Sequence, residues 1–464
     1  MTSWGGLFFF STNFLISSQP LTEVLNLSYM NLSTQPYKGA RDFYPQDMRV
    51  RNYIFGVWRD VCKSYGYEEY DGPFLESFEL YAAKSGEELV NEQLYSFEDR
   101  GGRKVAIRPE MTPTLARMVA GQFKTLPQPI RWFSIPNLWR YEKPQRGRLR
   151  EHFQLNVDIF GVDGIEADFE IVSIAIDIMK KFGADESMFE IRVGNRRLLN
   201  DVFGQFGISA EQGVRVLKAL DKRSKVSSED FAQLLKDDAK ISDGQIGQVE
   251  EFIKNPQPVI ESLLKTSKGA QEVDGLLKFA KENRKDKFIK YDPTITRGLD
   301  YYTGNVFEQY DLNPKNTRSM YGGGRYDDLV EIFGGQKLSG VGFGMGDVTF
   351  LNFLEDWNLL PKFEAEVEYF VTIWPSENAA EAGRFQKIAL EVSEKLRAMG
   401  KNVEVWLEKD TKIEKQLKFA DRKGVQNVIL IGEEELKNNT IAVKNMSSGK
   451  QSNRPLEEFL AGLK

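Results

Sequence analysis

The sequence holds one cysteine, one histidine and no apolar run long enough to cross a bilayer. Cys62 alone excludes an intramolecular disulfide framework and points to a reducing compartment; it falls in an amphipathic stretch and reads as a core thiol. With His152 as the sole imidazole, a zinc site of His and Cys ligands is excluded. Any serine or cysteine nucleophile would also have to share that one ring as its base. Basic residues are not in excess: 62 Lys and Arg stand against 68 Asp and Glu, a net charge of −6. That argues against sequence-independent coating of nucleic acid, including DNA, while leaving room for a local basic patch that docks a polyanion. No Lys or Arg precedes Lys38, so "WGGLFFFSTNFLISS" has neither the basic start of a secretory signal nor the arginines of a transit peptide. Residues 1–30 read as a disordered extension or as a start assigned upstream of Met30.

What is present is a soluble, multi-domain composition: 464 residues, 41% hydrophobic and 28% charged. A helix is expected from about Gln46 to Tyr65, with Val50, Ile54, Val57, Trp58, Val61 and Cys62 on one face and Gly66 as its stop. A strand, a hairpin turning at Gly101-Gly102 and a helix opening near Thr112 follow. The segments "IRWFSIPNLWRYE" and 152–160 read as antiparallel partners. From 196 to 287 the chain turns helical and rich in Lys and Glu, which reads as an insertion; strand and glycine signals return over 288–363. Residues 366–464 alternate strand and helix, predicting a small α/β domain with a largely parallel sheet. The fold class is therefore α+β: an antiparallel catalytic core in two parts (31–195 and 288–363), a helical insertion, and a C-terminal α/β domain.

Three stretches carry chemistry. "RYEKPQRGRLRE" sets Arg140, Lys143, Arg146, Arg148 and Arg150 beside Glu142 at a hairpin tip, and guanidinium forks match phosphate oxygens. The strand after it alternates strictly, with His152, Gln154, Asn156 and Asp158 on one face and Phe153, Leu155, Val157 and Ile159 on the other. An amide and acid face next to a phosphate-binding tip suits a substrate ammonium group. "TRGLDYYTGNVFE" and "YGGGRYDD" each combine glycine, arginine and tyrosine; Gly298 and its companions admit a ligand close to the backbone, and the tyrosines can wall a heteroaromatic ring.

Together these stretches resemble the class II aminoacyl-tRNA synthetases, and within them the histidyl-tRNA synthetase family. "YKGARDFYP" is similar to that family's opening, "RYEKPQRGRLREHFQLNVDIFG" to its motif 2, "RGLDYYTGNVFE" and "YGGGRYDDL" to its two histidine motifs, and "GVGFGMGDVTF" to motif 3. "GKNVEVW", "KQLKFADRKG" and "VILIGEEELKNNTIAVKN" resemble its anticodon-binding domain. The likeness runs from about Leu32 to the C-terminus.

The resemblance implies a cytoplasmic homodimer, paired through the 46–65 helix and the strand after it, that binds histidine, ATP with Mg²⁺, and tRNA(His), with no resident metal and no membrane. It implies that Arg140 and Arg297 flank the α-phosphate, that Glu142 meets the adenine amino group, and that Arg148 meets the outer phosphates. His152 or Phe153 would stack on adenine. Glu110, Thr112, Gln154 and Asp158 would hold the substrate ammonium, and Tyr301, Tyr302 and Tyr326 would enclose the imidazole. Gln145 and Lys143 would meet the tRNA acceptor end. Two departures stand out: Thr349 occupies the place of the usual motif 3 arginine, and Asp158 that of a frequent glutamate. A non-catalytic relative is the rival reading; such proteins tend to lose the central arginines or the last domain, and this chain keeps both.

Overall fold

The structure, a computed structural model, describes residues 32–83, 89–223, 226–297, 301–316, 318–334 and 337–463. The 1–30 extension therefore lies outside the described residues. The chain divides into two compact units, the first ending at Leu359 and the second running from Leu360 to Lys464.

The first unit is organised by one large sheet. Its central strands, in spatial order, are Ile130–Ser134, Glu151–Phe160, Gly340–Gly346, Ser319–Tyr326, Asn305–Asp311 and Phe189–Asn195, each antiparallel to the next. Only the rims are parallel: Glu68–Glu69 pairs with Ile130–Ser134, and Ile289–Tyr291 pairs with Phe189–Asn195. The expected antiparallel core is thus the architecture found. The helix Ile165–Lys181 is apolar nearly all round, with Ile171, Ile174, Ala175 and Ile178 fully buried. That composition suits a helix between two layers. It packs across Glu151–Phe160 and Gly340–Gly346 on one side, and against the helices Pro45–Ser64 and Lys268–Glu282 on the other. The opposite face of the sheet is left to the site.

The helix Pro45–Ser64 begins with Pro at its first position and an Asp47 carboxylate accepting from the Tyr44 N–H (3.0 Å). Its buried stripe is Ile54, Phe55, Trp58, Val61 and Cys62: four of the six expected residues lie on it, Val50 and Val57 are only half-buried, and Phe55 joins it. Between Arg196 and Glu282 six helices enclose their own core, built on Leu199, Phe203, Phe231, Leu235 and Phe252. A separate three-stranded sheet (Leu75–Ser77, Ser96–Glu98, Lys104–Ile107) includes the Gly101-Gly102 hairpin.

The second unit holds a five-stranded sheet in the order Val403–Val405, Tyr369–Val371, Asn427–Leu430, Thr440–Asn445, Gln451–Pro455. Its first two pairings are parallel, but the last two are antiparallel, so the sheet is mixed rather than largely parallel. The final strand, "QSNRP", has no apolar alternation to announce it and is mostly exposed. A tight turn makes the pairing: Asn445 accepts from the Ser448 N–H (2.9 Å), and Gly449 sits at φ +69°. Residues of Tyr369–Val371 feed two cores alternately, Tyr369 and Val371 one way and Phe370 the other.

Trp58 is fully buried, stacked on Phe55 at 5.4 Å and edge-on to Phe350 at 5.4 Å. Trp58→Ala is expected to destabilise the first unit by about 3–5 kcal/mol. Calorimetry should show that unit's transition lowered while the second unit's stays where it was.

Candidate active site

On the open face of the sheet two cavities meet. The inner one has a volume of about 50 Å³ and is lined by Glu110, Thr112, Arg140, Gln154, Asn156, Asp158, Arg297, Tyr301, Tyr302 and Tyr326, with Gly322, Gly342, Phe343 and Gly344. The outer cleft, of about 490 Å³, is lined by Arg140, Glu142, Arg148, His152, Gln154, Arg297, Glu308 and Thr349 among others. Arg140, Gln154, Arg297, Gly322 and Gly344 belong to both. The junction between a small polar pocket and a nucleotide-sized cleft is therefore flanked by two guanidiniums.

The pocket exists because its floor lacks side chains. Asp158 lies opposite Gly342 and Asn156 opposite Gly344 across the strand pair. A Cβ on Gly342 would overlap the Asp158 carboxylate, and one on Gly322 would overlap the Arg297 guanidinium and the Phe307 carbonyl. The acid and the arginine thus lie over backbone. Asp158 is buried; its Oδ1 accepts a hydrogen bond from the Tyr326 hydroxyl, and its buried Oδ2 has no hydrogen-bond partner among the described residues. Burial pushes its pKa up to about 7, against a smaller lowering from the Tyr326 hydrogen bond. Tyr301 donates from its hydroxyl to Glu110 (3.3 Å), and its ring meets Tyr302 at 4.8 Å and Tyr326 at 5.8 Å. Thr112 opens the helix Thr112–Gln122, so the backbone turn after "RPEM" sets Glu110 and Thr112 side by side on the wall.

At the junction, Arg140 Nε donates to the Pro109 carbonyl (2.9 Å), and no carboxylate among the described residues pairs with its guanidinium. Arg297 sits at φ +53°, a left-handed conformation that a non-glycine residue adopts only when its surroundings hold it there. Burial opposes its charge, but Tyr302, Glu308 and Tyr301 outweigh that and shift its pKa upward. Glu308 stands 3.6 Å away, too far for a tight pair, and the guanidinium lies 5.7 Å from the Tyr302 ring centre. Gly298 and Asp300, from the same glycine cluster, lie outside the described residues.

The cationic tip does not act as one cluster. Arg148 reaches the cleft and pairs there with Glu142 (2.9 Å). Arg146 instead pairs with Asp356 (2.5 Å), and Arg150 bonds the Glu142 carbonyl (3.1 Å) and the Tyr37 hydroxyl (2.7 Å). Lys143 and Gln145 are exposed on the tip and line neither cavity. His152 lines the cleft; burial, then Arg140, Arg41 and Arg148, pull its pKa down to about 3, so the ring is neutral.

Phe153 must be withdrawn from the nucleotide side. Its ring packs on Phe43 (6.1 Å) and Phe55 (5.5 Å) beneath the Arg51 guanidinium, on the far face of the sheet. One residue along a strand reverses the face, so His152 and Phe153 cannot share a ligand. Thr349 does line the cleft, but its hydroxyl donates to the Met320 carbonyl (2.9 Å). The cations lining the cleft are Arg140, Arg148 and Arg297.

Glu308 and Phe343 line the site without being singled out by the sequence, while Gly322 falls in the glycine cluster "YGGGRYDD" and Gly342 and Gly344 in "GVGFGMG". Glycine alternation in "GVGFGMG" was a usable signal for the floor, but Glu308 reads as any strand acid until the fold brings it to Arg297.

A family model described as histidyl-tRNA synthetase matches residues 39–347, and one described as an anticodon binding domain matches residues 371–464. A histidine–tRNA ligase of Leptospira biflexa is 45% identical over 443 residues, covering 93% of this chain and 98% of that relative. One from Haloarcula marismortui is 38% identical over 429 residues, covering 91% and 96%. The crystal structure of histidyl-tRNA synthetase from Nostoc sp. PCC 7120 superposes with a TM-score of 0.76 at 23% identity, over 93% of this chain and 99% of that one, a likeness of fold.

The raised Asp158 pKa has a consequence for stability. Folded it titrates at about 7, unfolded at about 3.9. Between those values the folded chain holds a proton that the unfolded chain has lost. The group's stabilising contribution is thus full below about pH 4 and is lost as pH rises through about 7. Asp158→Asn removes this dependence. Its melting temperature should improve relative to the parent as pH rises from about 5 to about 8; a pH-independent difference would mean Asp158 is ionised throughout.

Proposed function

We propose a division of labour among the residues of this chain, which belongs to the histidyl-tRNA synthetase family. It is an aminoacyl-tRNA ligase: histidine and ATP give histidyl-adenylate and pyrophosphate, and the histidyl group passes to the 3′ end of the tRNA. One observation carries our assignment: the polar pocket and the cleft join between Arg140 and Arg297. A histidine in the pocket and an ATP in the cleft meet there with carboxylate facing α-phosphorus. As the new P–O bond forms and pyrophosphate leaves with the bonding pair, negative charge builds on the α-phosphate oxygens between the two guanidiniums. Preorganised cations at that point stabilise the transition state, and alignment supplies the rest, so no nucleophilic side chain is needed.

Inside the pocket, Glu110 with Thr112 and Gln154 receives the ammonium group, near the junction. Asp158 is better placed for the imidazole, because Tyr326, a wall of the ring site, already donates to its other oxygen. Tyr301 and Tyr302 complete the wall. In the cleft, His152 offers a neutral face to adenine, Glu142 accepts from the adenine amino group, and Arg148 is released from Glu142 to the outer phosphates. Mg²⁺ would arrive with the triphosphate, held by phosphate oxygens and Glu308, and neutralises phosphate charge. Exposed Lys143 and Gln145 are free to meet the tRNA acceptor end, and the second unit reads the anticodon. ATP and tRNA as substrates, and a lone unpaired cysteine, support a cytoplasmic site of action. Exposed Phe74, Leu75 and Phe97 on the three-stranded sheet support a homodimer, since such residues cluster at interfaces. Sedimentation at micromolar concentration should give twice the chain mass; a monomer would remove the dimer.

The assignment of charge is tested by histidine-dependent ATP–pyrophosphate exchange and single-turnover adenylate formation. Arg297→Ala should slow adenylation by about 10²–10³, or about 3–4 kcal/mol, with little change in histidine affinity. Thr349→Ala, whose hydroxyl is already bound to Met320, should do little. A large defect in Thr349→Ala, or none in Arg297→Ala, would place the critical charge elsewhere.

A further inference from the structure

Two adjacent arginines, Arg196 and Arg197, open the helix Arg196–Gln205, the first of the six-helix segment. Cations in the first turn work against the helix dipole, so their placement needs another reason. Neither lines the pocket or the cleft. Arg196 instead gives its guanidinium to main-chain carbonyls: Nε to Thr296 (3.1 Å), Nη2 to Arg297 (2.6 Å) and Nη1 to Tyr302 (3.3 Å). Its own backbone N–H donates to the Gly304 carbonyl (3.0 Å). One side chain thus fixes the backbone on both sides of residues 298–300, including the carbonyl of Arg297 at its left-handed φ. Arg197 reinforces the hold from the same turn. It bridges Glu272 (2.5 Å) and Asp327, and Asp327 accepts from the Thr303 hydroxyl (2.8 Å). Asn195, the helix cap, bonds Glu272 (2.8 Å) and Asn305 (2.8 Å).

We propose that Arg196 is a positioning residue for adenylate formation: by bonding the Thr296, Arg297 and Tyr302 carbonyls it holds the Arg297 guanidinium at the pocket–cleft junction. The inference rests on the catalytic role assigned to Arg297. The physical reason is that three charge-assisted hydrogen bonds from one rigid fork can hold a strained φ that the backbone alone would leave. The guanidinium of Arg297 lies over Gly322, and the carboxylate paired with it among the described residues, Glu308, is a loose 3.6 Å away. Its position is therefore set from the backbone side. That route links the helical segment to the transition state without touching substrate.

The test is a double-mutant cycle in the full-length chain, read by single-turnover adenylate formation. Arg196→Met keeps the aliphatic stem and removes the donors; it should slow adenylation about 10- to 100-fold, as expected for a misplaced catalytic group, with a smaller change in ATP KM. In an Arg297→Ala background the same substitution should cost less than about threefold, because a residue that acts through Arg297 has nothing left to position. Arg196→Lys, which retains one cationic donor, should recover part of the rate and carries the cycle if Arg196→Met does not fold. Full loss in the Arg297→Ala background, or a parental rate in Arg196→Met, would overturn the inference and leave the role of Arg297 intact. A parental rate in Arg297→Ala alone would instead overturn the proposed function, and this inference with it.

Discussion

The site depends on backbone lying where side chains would normally stand. Strands Ser319–Tyr326 and Gly340–Gly346 run through the middle of the sheet with glycines at positions 322–324 and at every second residue from 340 to 346. Those glycines cost strand stability, since they have no side chain of their own to pack and their unfolded chain is freer. In return the neighbours' polar side chains lie over the sheet. Gln154 comes within 2.7 Å of where a Gly344 Cβ would be, Asp158 covers Gly342, and Arg297 covers Gly322. Replacing any of these glycines by a larger residue would fill the volume from which the pocket is made.

Electrostatics then follow from what the glycine floor admits. Two groups titrate away from their ordinary values in the direction burial demands: Asp158 rises and His152 falls. Arg297 moves the other way, because Tyr302, Glu308 and Tyr301 outweigh the effect of burial. Other arginines of the unit are held by carboxylates: Arg325 bonds Asp168 deep in the core, and Arg146 bonds Asp356. Among the described residues no carboxylate pairs with Arg140, and Arg297 has only Glu308 at 3.6 Å, a loose hold that leaves both cations available to an anion. Thr349 brings no charge to the same cleft, which leaves Arg140, Arg297 and Arg148 as the cations that line it.

Much of this was legible from the chain. Period-two alternation in residues 152–158 separated a polar face from an apolar one, and the structure seats Gln154, Asn156 and Asp158 in one pocket. The same alternation should have removed Phe153 at once, because adjacent strand residues cannot share a face. Five basic residues at a hairpin tip could not be sorted by sequence, since partners such as Asp356 and Tyr37 come from far along the chain. The antiparallel half of the C-terminal sheet was hidden because a polar, exposed edge strand has no hydrophobic period.

Sequence by itself determined the local and the chemical: which segments with a hydrophobic period are strands and helices, where glycine replaces side chains, which residue types could bind phosphate, ammonium and imidazole, and which chemistries one histidine and one cysteine forbid. Tertiary structure alone decided which charges remain free and which backbone carries them. Arg297 and Arg196 are 101 positions apart, and no local pattern relates them. Hydrogen bonds between distant segments exist only once the sheet has closed and the helical segment has docked on it. Propensity and periodicity act over a few residues, whereas the position of a buried guanidinium is set by contacts that span the fold.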